Sequence, residues 1–203
     1  MKLQRRLIEE ADSTSAEKTA HDVAHIEKIC SILKSGKDSI AITDQLKSYL
    51  KSTISVWGAD LLKSGMNPEE AINAQINIFN SPWFRYFVTY NPRPALKKVK
   101  CPVLAMNGAL DLQVPPKENL KEIEKALRAG GNKNITIKLM FGLNHLFQNA
   151  RPGSPKEYAQ IEETFSPAAL KVMGDWIVEN TDRKKEDRFK NSSSKVEPES
   201  GEA

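Results

Sequence analysis

Glycine is sparse in this chain and, for one chemistry, wrongly spaced: among its ten glycines in 203 residues, no two stand four positions apart. A Gly-x-Ser-x-Gly elbow, the sharp strand-to-helix turn that exposes a catalytic serine, is therefore absent. Cysteine is sparser still. Cys30 and Cys101 make no disulfide framework, and neither has metal-ligand spacing, so no metal or other cofactor is expected. Long apolar runs are missing: nothing approaches the ~20 residues that cross a bilayer, and mean hydropathy is −0.49. The basic start Met1–Arg6 leads to Glu9, Glu10 and Asp12 instead of an apolar stretch, so it is no secretory signal. The default location is then the cytoplasm. Charge of one sign is lacking too. Thirty basic and 26 acidic residues leave a net +4 and are interleaved, which reads as a solvated surface and argues against nucleic acid as a partner.

What the chain does have, up to about residue 94, is helical punctuation. Thr14 and Glu17 have capping-box spacing, and Val23, Ile26, Cys30 and Leu33 recur at helical intervals before Gly36. Leu46, Leu50 and Ile54 mark a second helix, and Gly65 closes a short one around Leu61 and Leu62. Asn67-Pro68-Glu69-Glu70 combines a cap, a proline at the first helical position and acids in the positive first turn. The helix it opens holds Ile72, Ile76 and Phe79, and Ser81-Pro82 repeats the signal before Trp83-Phe84-Arg85-Tyr86-Phe87. No strand pattern of similar strength precedes residue 95.

The pattern changes at Asn91-Pro92-Arg93-Pro94, where X-Pro steps predict extended backbone and a boundary. The apolar run Cys101–Met106, stopped by Asn107-Gly108, predicts a buried parallel strand. Pro115-Pro116 opens a helix carrying Leu120, Ile123 and Leu127, halted at Gly130-Gly131. Ile135–Met140 is a second strand, so the order strand, helix, strand makes the two parallel. A loop leads to a last helix, with Ser166 as cap, Pro167 first, and Leu170, Met173, Trp176 and Ile177 on one face. Beyond Thr181 the chain is charged and almost without apolar residues, which predicts a disordered tail over 182–203.

Asp111 follows the first strand and His145 the second. Parallel neighbours end on the same rim of a sheet, so both side chains emerge into one crevice. An acid beside an imidazole is what a nucleophile needs behind it: the carboxylate fixes the tautomer, and the imidazole takes and returns the proton. The stretch Cys101–Pro115, with Asn107-Gly108-Ala109-Leu110-Asp111 inside it, resembles the triad-acid segment of α/β-hydrolases. Phe141-Gly142-Leu143-Asn144-His145-Leu146-Phe147 resembles their triad-histidine segment. The helical first half, with Ser81–Tyr86, resembles the cap of bacterial esterases related to serine aminopeptidase-type hydrolases.

The resemblance spans roughly residues 10 to 180 and implies an α/β fold. Residues 1–94 would be a helical cap, and 95–181 the C-terminal βαβα part of the hydrolase core, with two parallel strands and flanking helices. It implies hydrolysis of a carboxylic ester or other acyl substrate without a cofactor, with Asp111 and His145 as triad members and the serine missing. Trp83, Phe84 and Phe147 are candidates to line a substrate pocket. Two strands make a poor core, so the partner expected is the missing N-terminal half, or a second copy bound through the exposed sheet edge. The alternative is an inactive hydrolase remnant or a partner-binding module. Against the remaining motifs the readings are bland. His21-Asp22-Val23-Ala24-His25 lacks the zinc motif's glutamate and a third ligand, so it reads as a polar helix face. Cys101 and Ser154 lack an elbow, and Met1–Glu10 is a basic amphipathic segment.

Overall fold

The computed structural model describes residues 16–36, 38–57 and 62–193. The segment Met1–Glu10, the Thr14 cap and residue Leu61 lie outside the described residues, as do positions 194–203 of the tail. The chain is a mixed α/β protein, mostly helical, and divides into two units between Pro92 and Arg93. None of its described helices is long and apolar enough to cross a membrane.

The first unit holds α1 (Ala16–Leu33), α2 (Ser39–Trp57), α3 (Pro68–Phe79) and α4 (Pro82–Thr89). Its core joins Ile29, Ile32 and Leu33 of α1 to Ile42, Leu46 and Leu50 of α2 and Ile72 and Ile76 of α3. Each such side chain, fully buried, contributes roughly 1.5–3 kcal/mol. The inward stripe of α1 is the expected one at Val23 and Leu33 but differs between them. Asp22, His25 and Ile29 are buried, while Ile26 and Cys30 are only half-buried. The His-x-x-x-His segment is thus split: His21 is exposed, and His25 packs inward with its Nδ1 2.9 Å from the Tyr49 hydroxyl. It is not a polar face, because a hydroxyl from the neighbouring helix meets the ring. Burial pushes the Tyr49 phenol above its ordinary pKa. The α3 cap forms in full. Asn67 Oδ1 accepts from the Glu70 N–H at 2.9 Å, and Glu70 Oε2 accepts from the Asn67 N–H at 3.2 Å.

The second unit opens with α5 (Arg93–Leu96), where extended backbone was expected. Pro94 lies in its first turn, and a missing N–H costs nothing there. Then come β1 (Val103–Gly108), α6 (Pro116–Ala129) and β2 (Ile135–Met140). The strands pair in parallel from Val103 with Ile135 to Gly108 with Met140. The first strand therefore runs through Asn107-Gly108 instead of stopping before it. Asn132 anchors the return: its Nδ2 donates to the carbonyls of Val99 and Cys101 at 3.1 and 2.9 Å.

A 3-10 helix (Pro155–Gln160), which the sequence did not suggest, follows within the connecting loop. The last helix, α7, spans Pro167–Ser193. Part of the supposed tail is therefore helical. Asp182–Lys190 is rich in Lys, Arg and Glu, strong helix formers, and Glu186 and Lys190 are spaced one turn apart in sequence. Among the described residues each strand has one neighbour, and no residue of β2 is buried.

Candidate active site

The register puts both strand ends at one level, and the chain past each end builds the site. Beyond Gly108 the two chains stay bonded: the Ala109 N–H donates to the Met140 carbonyl at 2.7 Å and the Leu110 N–H to the Leu143 carbonyl at 2.9 Å. Glycine is required at 108 because a Cβ there would stand 2.3 Å from the carbonyl oxygens of both Leu143 and Asn144. Its absence lets the histidine loop lie directly across the end of β1. Gly153 does the same on the other flank. It has φ +96, and a Cβ would sit 2.2 Å from the Leu110 carbonyl oxygen.

Asp111 is 3% exposed, and both of its oxygens are occupied. Oδ1 accepts from the N–H groups of Gln113 at 2.9 Å and Val114 at 2.7 Å, an Asx turn that fixes the carboxylate plane. Oδ2 accepts from Asn107 Nδ2 at 2.8 Å and lies 2.9 Å from His145 Nδ1. A carboxylate so bonded is an acceptor only, so the shared proton belongs to Nδ1 and leaves Nε2 as the basic nitrogen. The His145 side chain is 37% exposed, so the ring is held at one end and open to solvent in part.

His145 is presented by a loop built on a buried amide. Asn144 is fully buried, and its Oδ1 accepts from the N–H groups of Leu146 at 2.9 Å and Gln148 at 3.0 Å. Its Nδ2 donates to Gln148 Oε1 at 3.0 Å, and Gln148 Nε2 donates to the Glu163 carbonyl at 2.8 Å. Phe147 takes φ 57, the left-handed region that a side chain normally avoids. It is held there by the Ser166 N–H on its carbonyl at 2.8 Å and by stacking on Phe165 at 5.2 Å. His145, Phe147 and Phe165 line an open depression of about 590 Å³ that also includes Leu146, Ile161 and Glu162.

Of the residues singled out from the sequence, Asp111 and His145 are in direct contact, and Phe147 lies beside them. Trp83 and Phe84 belong to the first unit. Phe84 packs on its core, edge-on to Phe79 at 5.4 Å, whereas Trp83 is exposed and stacked on Phe87. Ser154 is buried and caps the 3-10 helix, accepting from the Lys156 N–H at 3.2 Å. Cys101 is exposed just ahead of β1. Three participants were missed. Asn107 stood as a strand stop and Gln113 without a role of its own, both inside the segment that resembles the triad acid's, while Tyr158 lay in the loop before the last helix. Its hydroxyl accepts from Gln113 Nε2 at 2.7 Å. Burial pushes that phenol's pKa up, the Gln113 bond opposes the rise, and the nearby Asp111 charge adds to it. The described residues contain no group of three His, Cys, Asp or Glu that could hold a metal ion. No protein-family model, curated protein or solved structure matches this chain.

Proposed function

We propose that the second unit carries the acid–base half of a hydrolytic site of the α/β-hydrolase type. The chemistry is carboxylic ester or acyl hydrolysis, with the serine supplied from outside this chain. The observation that carries this reading is the Asp111 Oδ2–His145 Nδ1 contact of 2.9 Å at the carboxyl rim of two parallel strands. Nε2 would accept the proton of an attacking hydroxyl or water, Asp111 would stabilise the imidazolium, and the same proton would pass to the leaving group. The depression beside the ring gives the acyl or leaving group a partly aromatic wall at Phe147 and Phe165. The sequence supplies no elbow serine, so full turnover requires a second polypeptide segment.

An activated aryl ester tests the dyad without that segment, because an imidazole alone attacks such esters or activates water on them. The expected result is slow hydrolysis by the whole chain, reduced to background by His145→Ala and lowered by Asp111→Asn, with His21→Ala unchanged. Equal rates for wild type and a folded His145→Ala variant would sink the proposal. The competing reading, a partner-binding module, draws on exposed Trp83, Tyr86, Phe87 and Tyr90 in the first unit. It predicts no histidine-dependent hydrolysis at all.

A further inference from the structure

We propose that Asn107 is a positioning residue of this pair: by donating to Asp111 Oδ2 it decides which nitrogen of His145 is basic. The inference rests on reading Asp111 and His145 as an acid–base pair, but its test reads the imidazole proton and not turnover. A carboxylate offers about four in-plane acceptor sites. Here two backbone N–H groups fill those of Oδ1, and Asn107 Nδ2 and His145 Nδ1 fill those of Oδ2. With every site taken, Asp111 is held at both oxygens. The amide's direction is itself fixed. Asn107 Oδ1 accepts from Asn119 Nδ2 at 3.3 Å, and its Nδ2 also lies 3.4 Å from the Val114 carbonyl. The reverse orientation would set an amide oxygen against the carboxylate and against that carbonyl.

The donor is rigidly mounted. Asn107 is 7% exposed within β1, and its own anchor, Asn119, stands in the first turn of α6. An aliphatic side chain would fill the same space, so packing alone does not account for an amide. Remove the donor, and one Oδ2 site is vacant in a buried carboxylate. The carboxylate is then held only by its two Oδ1 bonds, and Oδ2 loses the second donor that fixes it toward Nδ1. The neutral ring would exchange between tautomers, and the fraction with a bare Nε2 would fall.

The measurement is the set of ¹⁵N shifts of the His145 ring in the labelled full chain, at a pH where the ring is neutral. Wild type is expected to show Nδ1–H with bare Nε2. Asn107→Leu, similar in size but without a donor, should shift the tautomer ratio toward Nε2–H by about tenfold, the scale of one hydrogen bond to a charged group. Asn119→Ala leaves all four donors to Asp111 in place and frees only the amide, so a smaller shift in the same direction is expected. A folded Asn107→Leu chain with the wild-type ratio overturns the proposal. Should that variant fail to fold, Asn119→Ala decides: an unchanged ratio overturns it, and a shift toward Nε2–H supports it. Loss of ester hydrolysis with this tautomer behaviour intact would reject the catalytic reading and leave the positioning role standing.

Discussion

The two units bury different things. In the first, the buried positions are overwhelmingly apolar: Val23, Ile29, Ile32, Leu33, Ile42, Leu46, Leu50, Ala71, Ile72 and Ile76, with Asp22 and His25 as the polar members. In the second, the buried apolar residues are Ala105, Leu120, Ala126, Leu127, Leu143 and Ala169. Beside them are Asn107, Asp111, Asn132, Asn144, Gln148, Ser154 and Ser166, nearly all at the rim and held by hydrogen bonds. Apolar burial is non-directional and tolerates sliding, so it gives stability without fixing any one atom. Hydrogen-bonded polar burial gives less net stability per group but penalises every misplaced partner. The first unit is built as a packed bundle and the second as a jig for two side chains.

The largest effect should come from the bundle. Leu46, fully buried in the helical core, replaced by Ala should lower unfolding free energy by about 2–5 kcal/mol in a denaturant melt. A loss under ~1 kcal/mol would mean that apolar packing does not hold that unit together. On the other side of the comparison, Asn144→Ala deletes three side-chain hydrogen bonds of the histidine loop. It should cost about 1–3 kcal/mol and also abolish the low-field Nδ1–H resonance expected of His145 in the wild type. Retention of that resonance would show that the loop does not depend on its buried amide.

Gly108→Ala sharpens the contrast further. The added methyl meets two backbone carbonyls at 2.3 Å, so the loop must lift. The expected cost is about 1–3 kcal/mol, with the His145–Asp111 contact broken in a crystal structure of the variant. The smallest effect belongs to the surface. The Arg93 guanidinium bonds Glu122 at 2.6 Å and holds that carboxyl below the ordinary glutamate range. A depressed folded-state pKa stabilises the fold above the unfolded value and is lost as pH falls through the folded one. Glu122→Gln should therefore lower the melting temperature slightly at neutral pH and leave it unchanged in strong acid, so that the acid-side fall is shallower. An unchanged acid limb would show that solvent screens this exposed pair completely.

Legibility followed the same division. Where a residue's role is local, the sequence displayed it: Asn67 with Glu70, Ser81 with Pro82, and Gly130-Gly131 after α6 all act within a turn or two of their own position. Asp111 and His145 were legible because parallel strands convert a long separation in sequence into adjacency at one rim. Asn107 was not: the carboxylate it donates to is only four residues on, but the bond from Asn119 that orients its amide exists only once β1 and α6 are packed. The inward face of α1 was read correctly at Val23 and Leu33 but misjudged between them, for a related reason. Helical periodicity marks a stripe, but His25 turns inward only because Tyr49 of another helix offers a hydroxyl.

By itself the sequence determined the starts of α3, α4, α6 and α7, the two strands and their common direction, and the residue types able to move a proton. These follow from backbone propensity and from apolar spacing, which act over a few residues. Tertiary structure alone decided which oxygen of Asp111 meets which nitrogen of His145, and the need for glycine at 108 and 153. Each of these depends on contacts within hydrogen-bond or van der Waals range between segments remote in the chain, and such distances exist only after packing.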